Sequence, residues 1–307
     1  MTQTIVSIHH LQKSFGKFQA LKDITFDVNA GEVFGFIGPN GSGKSTTIRV
    51  LLGILKASGG QATIFNQDVW QKAVAIHNRI AYVPGDVYLW PNLTGGEMID
   101  FLLKLNHQKH SAKTDELIHE FELDPKKKSR TYSKGNRQKV ALIAALSTEA
   151  DLYIFDEPTS GLDPLMEELF QKHVLALKRL GKSVLLSSHI LSEVERMCDR
   201  IGIIRAGEIV ETGTLDQMRQ LTRNQVIVQT KQELTGIETL TGVHGFKRDE
   251  HIVNKAVFAV DTAQIGPVMA ELTQRKIVAL QTTPPTLEDL FIRYYNNTEG
   301  TEGHDTK

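Results

Sequence analysis

The sequence contains little that would suit a secreted or membrane-spanning protein. Its 307 residues include one cysteine, Cys198, so no disulfide can form within the chain, which fits a reducing compartment. No apolar run approaches the roughly 18–20 residues needed to cross a bilayer. The first ten residues, MTQTIVSIHH, lack the apolar core of a signal peptide. We therefore predict that the protein stays in the cytosol and that any membrane role requires a partner.

The chain also lacks an excess of charge of either sign. It carries 35 Lys and Arg against 36 Asp and Glu, which provides no global field for holding nucleic acid or an anionic membrane. Residues 126–139 do contain seven basic residues and no acidic one. This run is either a segment that attracts phosphate or lipid or a solvated surface, and it does not suffice for nucleic-acid binding.

Strands and helices alternate over the first two thirds of the chain, which indicates an α/β sheet protein. The run Val33–Ile37 is nearly all apolar, as is typical of a strand covered on both faces, and Leu152–Phe155 and Ser183–Ser187 predict further strands. The stretch from Thr94 to about Ala150 has the apolar spacing of helices. We therefore expect a sheet with an inserted helical section.

After Leu221 the pattern changes, and residues 222–282 predict a small α+β domain. An apolar stripe with helical spacing then predicts a terminal helix, which either packs on its own chain or contacts a partner. The stripe consists of Leu287, Leu290, Phe291 and Tyr294. Residues 296–307 are polar and predicted to be disordered. The expected domains are thus 1–221 and 222–295.

A glycine-rich loop follows the strand Val33–Ile37 and precedes a helical segment. It fits the pattern G-x-x-x-x-G-K-[ST] with Gly38, Pro39, Asn40, Gly41, Ser42, Gly43, Lys44 and Ser45. Glycines let successive N–H groups face phosphate oxygens, and the helix N-terminus adds partial positive charge. We predict that Lys44 reaches the β- and γ-phosphates, that Ser45 offers its hydroxyl to Mg²⁺, and that Thr46 belongs to the nucleotide-binding set.

Polar residues also follow two later strands. Asp156 and Glu157 end the apolar run Leu152–Phe155, and in phosphate-loop NTPases an Asp at such a strand end helps to hold Mg²⁺. Glu157 is predicted to accept a proton from the attacking water or to orient it. His189 follows the next strand, at the end where open α/β sheets bind ligands, and is predicted to contact the γ-phosphate or position the water.

Two further motifs make the chain resemble the ATP-binding cassette (ABC) ATPases over about residues 3–220. Residues 132–138, YSKGNRQ, resemble the family's signature, and residues 158–163, PTSGLD, resemble its D-loop. The order and spacing of phosphate loop, signature, acidic pair, D-loop and histidine are those of the family. The resemblance implies a phosphate-loop NTPase fold: a mixed β-sheet core with a helical subdomain at about 86–150.

The resemblance further implies a composite site, in which two cassettes dimerise head to tail around ATP. Each nucleotide would lie between one phosphate loop and the other cassette's signature, and Asp163 would communicate across the interface. Phe15 stands where the family keeps an aromatic residue that stacks on adenine; the alternative is an ordinary core residue. The signature residues facing the partner's ATP would be Ser133, Lys134, Gly135 and Asn136, with Ser133 and Gly135 on its γ-phosphate.

Two positions depart from the family pattern. Residues 81–86 resemble the Q-loop, but Gly85 stands where glutamine is expected. Coupling to a membrane partner would then use Asp86 or the backbone. The signature has Lys134 in place of glycine and Asn136 in place of glutamine, so Lys134 would add positive charge near the phosphate.

The implied function is an ATP-binding and ATP-hydrolysing subunit that powers a separate membrane permease from the cytoplasmic face of the cell membrane, using ATP and Mg²⁺. The segment 284–291, PPTLEDLF, is similar to the ends of separately encoded cassettes of two-component exporters of drugs, antibiotics, lipids or polysaccharides. The second cassette would be identical or closely related. The alternatives are a soluble ABC ATPase acting on ribosomes or DNA, an importer subunit, and a non-enzymatic ATP-binding module. The resemblance leaves the cargo open.

Overall fold

The computed structural model describes residues 3–220 and 223–283, together with residue 288. These residues divide into two compact units, one ending at Gly213 and the other beginning at Thr214. The helix Leu215–Gln220 therefore belongs to the second unit, whereas the sequence pattern placed the boundary at 221. Among the described residues, no helix is both long enough and apolar enough to cross a membrane.

Ten strands form the large sheet. In chain order they are β1 (Thr4–Phe15), β2 (Phe18–Asn29), β3 (Val33–Ile37), β4 (Gly59–Ile64), β5 (Gln67–Asp68), β6 (Ile80–Val83), β7 (Leu152–Asp156), β8 (Ser183–Ser188), β9 (Arg200–Arg205) and β10 (Glu208–Thr214). Their order across the sheet is β5-β4-β1-β2-β10-β9-β3-β8-β7-β6. The pairs from β6 through β7, β8 and β3 to β9 are parallel, and β2, β1, β4 and β5 pair antiparallel.

The helices of the same region are α1 (Lys44–Leu51), α2 (Ala73–His77), α3 (Gly95–Leu105), α4 (Ala112–Glu120), α5 (Lys134–Ser147), α6 (Pro164–Arg179) and α7 (Leu191–Met197). Capping side chains next to the first helical residue determine where several of these helices begin. Thr94 and Glu97 form a capping box at α3, and Asp163 caps α6 just before a proline at the first helical position. The predicted helical section between β6 and β7 is thus α3, α4 and α5.

The main core packs against both halves of the sheet, with buried side chains from β1, β2 and β4 as well as from β3, β7 and β8. All residues of β3, β7 and β8 are buried, as their continuous apolar runs predict for strands covered on both faces. Phe26 of β2 stacks on Phe34 of β3 with ring centroids 5.0 Å apart. Burying one such side chain contributes about 2–3 kcal/mol. The predicted mixed α/β core is confirmed.

The second unit contains α8 (Leu215–Gln220), β11 (Arg223–Thr230), β12 (Val243–Arg248), β13 (Lys255–Asp261), α9 (Ile265–Gln274) and β14 (Ile277–Thr283). Its antiparallel sheet has the order β12-β13-β11-β14. Val268 and Leu272 of α9 share a core with Val228 and Phe258 of the sheet. The predicted α+β fold of this part is confirmed. The stripe predicted from Leu287 to Tyr294 and the tail 296–307 lie outside the described residues.

Candidate active site

The sheet topology brings the sequence motifs to one edge. Strands β3, β8, β7 and β6 are parallel neighbours, and ligand sites in such sheets lie beyond the carboxyl ends of the strands. The glycine-rich loop follows β3, His189 follows β8, Glu157 follows β7, and Gly85 lies two residues after β6. These four segments therefore line the same edge.

The glycine-rich loop is folded tightly onto β9. Gly41 and Gly43 have φ values of +80° and +115°, which only glycine adopts freely. A Cβ atom at Gly38 would lie 2.4 Å from the Ile204 backbone oxygen and 2.7 Å from Ser42 Oγ. Ser42 Oγ is buried and has no hydrogen-bond partner among the described residues. Its hydroxyl is thus available to a phosphate oxygen, so the loop fits the ligand that its pattern predicts.

Lys44 connects this loop to the acidic strand end. Its side chain is 5% exposed, and Nζ donates to the backbone oxygens of Gly38 (2.6 Å) and Pro39 (3.2 Å). Nζ also lies 3.1 Å from Glu157 Oε1. The two backbone oxygens and the carboxylate charge compensate for the burial of the ammonium, which has three donors in all. Glu157 Oε1 itself has no hydrogen-bond partner among the described residues, so one donor of Lys44 remains for a phosphate oxygen.

Glu157 is held in a strained backbone conformation between Lys44 and His189. Its φ is +49°, an arrangement that costs a non-glycine residue roughly 1–3 kcal/mol. The Glu157 N–H donates to both the backbone oxygen and Oγ of Ser187, each at 3.1 Å, which stabilises this conformation. Glu157 Oε2 lies 2.5 Å from His189 Nδ1. The two residues predicted to be catalytic thus contact each other directly, and His189 keeps Nε2 for another partner.

Asp156 is buried and accepts a 2.5 Å hydrogen bond from Ser187 Oγ. Burial and then the charge of Asp156 raise the pKa of Tyr82 to about 12. Ser45 and Asp156, the predicted Mg²⁺ ligands, are the chain neighbours of the paired Lys44 and Glu157. Within the described ranges, no group of three His, Cys, Asp or Glu residues could hold a metal ion. Mg²⁺, which prefers oxygen ligands, would therefore need phosphate oxygens as well.

The signature segment begins helix α5 and is fixed to the D-loop of the same chain. Ser133 is the N-cap, and its Oγ accepts a 3.2 Å hydrogen bond from Asn136 N. A Cβ atom at Gly135 would lie only 2.4 Å from the backbone oxygen of Gly161. Two side chains add hydrogen bonds, from Lys134 Nζ to Ser160 Oγ (2.6 Å) and from Gln138 Nε2 to the Pro158 backbone oxygen (2.8 Å).

Two other predicted residues lie at exposed positions. Asp163 Oδ1 caps α6 by accepting from Leu165 N and Met166 N, both at 3.1 Å. Phe15, at the end of β1, is 47% exposed, so it is not the core residue of the alternative interpretation. The hairpin of β1 and β2 adjoins the phosphate loop, since a Cβ atom at Gly43 would lie 2.7 Å from Leu21 Cδ2. Phe15 lies on this same hairpin, paired with Phe18.

At Gly85 the backbone lies close to Asp156 and Glu157, at the end of β7. A Cβ atom there would lie 3.2 Å from the Asp156 backbone oxygen and 3.6 Å from Glu157 Cβ. The Gly85 backbone therefore lies close to the segment that carries Glu157. The next residue, Asp86, lines a cavity of about 320 Å³ together with Arg130 and Arg137.

Comparison with known proteins identifies the family. Residues 21–160 match the ABC transporter model. An uncharacterized ABC transporter ATP-binding protein of Bacillus subtilis, YdbJ, is 35% identical over 95% of this chain and 96% of its own length. The linearmycin resistance ATP-binding protein LnrL of the same organism is 30% identical over 96% of this chain and 99% of its own. The chain belongs to the ABC transporter ATP-binding proteins. A solved structure of an ATP-binding subunit of an ABC transporter, 32% identical, superposes with a TM-score of 0.65 over 71% of this chain and 92% of that chain.

Membership confirms the expectation of an ATP-binding subunit of an ABC transporter, and ABC cassettes bind and hydrolyse ATP. Several polar side chains to which the sequence assigned no role hold the site together. They are Ser187 and Glu193, with Gln138 of the signature segment and Thr159 of the D-loop. The serine pair 187–188 before His189 was a usable signal, because hydroxyls at a strand end can bond to the neighbouring strand end. Gln138 and Glu193 lie within helical segments and carried no such signal.

Proposed function

We propose that this cassette hydrolyses ATP with Glu157 and His189 and thereby powers a separate membrane permease that exports its cargo. The observation that carries the proposal is the contact of Glu157 with both Lys44, at 3.1 Å, and His189, at 2.5 Å. The linearmycin resistance name of LnrL supports an exporter. A cassette that serves a permease lies on the cytoplasmic face of the cell membrane, where ATP is available.

Each residue then has a role that its surroundings support. Lys44 binds phosphate oxygens, and Glu157 orients the attacking water or accepts its proton. His189 is held by Glu157 through Nδ1 and contacts the γ-phosphate or the water through Nε2. Mg²⁺, held by Ser45, Asp156 and phosphate oxygens, would neutralise charge on the phosphates.

We propose that a second cassette, another copy of this chain, completes the nucleotide-binding site. Ser133 caps its own helix with a hydroxyl oxygen, and a hydroxyl can accept and donate at once. Its proton is therefore free for the γ-phosphate of the partner's ATP. Binding of ATP drives closure only if the closed dimer holds ATP more tightly than the open one.

We place the permease contact at two cavities on either side of residues 87–89. One, of about 260 Å³, is apolar and is lined by Met98 and Leu102 of α3 and by alanines of α5. The other is the 320 Å³ cavity, where Arg130 and Arg137 have no ion-pair partner among the described residues. These surfaces suit a permease segment with an apolar face and an acidic side chain. Both cavities adjoin the segment that begins at Gly85, next to Glu157.

Two measurements on the tagged full-length chain test the proposal. The Glu157→Gln variant should bind ATP, lose nearly all phosphate release and form a stable dimer with ATP, because the amide cannot accept the proton. After crosslinking in cells, this trapped variant should recover an integral membrane protein. Turnover at the wild-type rate would contradict the role of Glu157. Recovery of ribosomes or DNA in place of a membrane protein would contradict the permease and favour the alternative ABC function.

A further inference from the structure

Glu193 is a buried acidic side chain that the proposed hydrolysis does not use. It lies in the first turn of α7 and is 3% exposed. Its Oε2 accepts a hydrogen bond from Thr159 Oγ1 at 3.1 Å and from Ser188 Oγ at 3.3 Å. Its Oε1 is buried and has no hydrogen-bond partner in the described part of the chain. Burial raises the pKa of this carboxyl group. Burying a carboxyl group with unused acceptors is costly, and the two hydroxyl contacts of Oε2 are what compensate for it among the described residues.

The two hydroxyls belong to the two segments that carry the catalytic pair. Thr159 lies two residues after Glu157, at the start of the D-loop, and Ser188 immediately precedes His189. The hydrogen bonds from Glu157 N to Ser187 join these segments where β7 and β8 end. Oε2 of Glu193 connects the same two segments a second time, beyond Glu157 and Ser187, through Thr159 and Ser188. The distance between Glu157 and His189 is thus fixed from the sheet on one side and from Glu193 on the other.

We infer that Glu193 is a positioning residue for hydrolysis, which holds the start of the D-loop and the segment before His189 together through Thr159 and Ser188. The inference rests on the proposed roles of Glu157 and His189. Glu193 touches neither of them by a hydrogen bond. It acts through the backbone of the neighbouring residues, so its loss shifts the pair without removing either side chain. Binding of ATP at the phosphate loop does not require this connection.

The test compares Glu193→Ala, Glu193→Gln and Thr159→Val in the full-length chain. Misplacing a catalytic group by about 1 Å can lower the rate roughly 100-fold. A smaller shift of Glu157 and His189 in Glu193→Ala should therefore lower kcat by roughly tenfold. KM and the Kd for ATP should change by less than about twofold, because the phosphate loop is untouched. Glu193→Gln should keep most of the activity, since its amide oxygen can accept both hydroxyl hydrogen bonds as Oε2 of Glu193 does.

Thr159→Val removes one hydroxyl at nearly constant volume and should lower kcat in the same direction. The double variant Thr159→Val with Glu193→Ala should lose less than the product of the two single losses, as expected for contacting residues. Glu168→Ala is the matched control, because Glu168 is an exposed acid of α6 whose one ion-pair partner among the described residues is Lys172. It should turn over ATP like the wild type.

Two outcomes would overturn the inference. Wild-type kcat in folded Glu193→Ala would show that the connection is not needed. A Glu193→Gln protein as slow as Glu193→Ala would show that charge is required in place of hydrogen-bond acceptance. Thermal unfolding checks that each variant is folded. If Glu193→Ala does not fold, the kcat of Thr159→Val tests the inference in its place. If the wild-type chain binds ATP but releases no phosphate, with its dimer and membrane partner present, the proposed function itself fails.

Discussion

Replacing Gly135 by alanine tests how closely the signature helix must approach the D-loop. The added Cβ atom would lie 2.4 Å from the backbone oxygen of Gly161, and real Cβ contacts essentially never fall under 3.0 Å. The two segments must therefore separate by at least about 0.6 Å. Gly161 cannot easily yield, because its φ of +86° and the hydrogen bonds from Lys134 and Gln138 fix the D-loop.

The structure sets the expected size of the effect. Overpacking of this kind costs about 1–3 kcal/mol, and alanine returns at most about 1 kcal/mol of helix propensity over glycine. The net loss of stability is therefore up to about 2 kcal/mol. A displacement of 0.6 Å at a group that must meet the γ-phosphate should lower kcat by roughly tenfold or more, given about 100-fold for 1 Å. The affinity of the phosphate loop for ATP should stay within about twofold.

The assay measures phosphate release, ATP binding and the thermal midpoint in parallel. Gly96→Ala is a matched control, because Gly96 is also the second residue of a helix, α3, and its added Cβ would make only 3.4 Å contacts with Pro125. It should keep wild-type turnover and show unchanged or slightly raised stability. A Gly135→Ala protein with wild-type kcat and midpoint would refute the argument that this close approach is required.

Three further changes have defined outcomes. Lys44→Ala should weaken ATP binding by at least tenfold in calorimetry, because the loop loses its buried ammonium, and undiminished affinity would contradict the loop assignment. His189→Ala should lower hydrolysis more than binding; unaffected hydrolysis would make His189 an ordinary surface residue. Hydrogen bonds to Asp100 and then Asp115 raise the pKa of His110. Its stabilising effect should be complete below about pH 6.5 and disappear as pH rises through the raised pKa, so urea unfolding of His110→Gln and wild type should converge at high pH.

Local chemistry explains why the phosphate loop could be placed from the sequence. Its glycines, its lysine and the flanking strand and helix are contiguous, so one short segment contains both the geometry and the ligand preference. The buried strands were predicted for a related reason, since β3 (VFGFI) and the first four residues of β7 (LYIF) are nearly continuous apolar runs. In the second unit, β12 (VHGFKR) went unpredicted because its polar residues and glycine interrupt the alternation expected of a strand.

Contacts set by strand register could not be predicted in this way. Ser187 bonds to Asp156 and Glu157 because β7 and β8 pair Asp156 with Ser187, a register that nothing in either segment specifies alone. The same holds for Gly135 and Gly161, which meet only because α5 packs against the D-loop. A missing glutamine at Gly85 was visible in the sequence. That its backbone lies against Asp156 required the fold.

We propose that α5 couples nucleotide to permease in this cassette, in which Gly85 stands where the family resemblance predicts a glutamine. The same helix carries Ser133, which would meet the partner's ATP, and Arg137, which lines the basic cavity proposed for the permease. Its first two turns are bound to the D-loop, whose first residues follow Glu157 directly. In this proposal, a permease segment that moves α5 also moves the D-loop, because Gly135 packs against Gly161 and two side chains of α5 bond to the D-loop. Coupling by this route would need no side chain at Gly85.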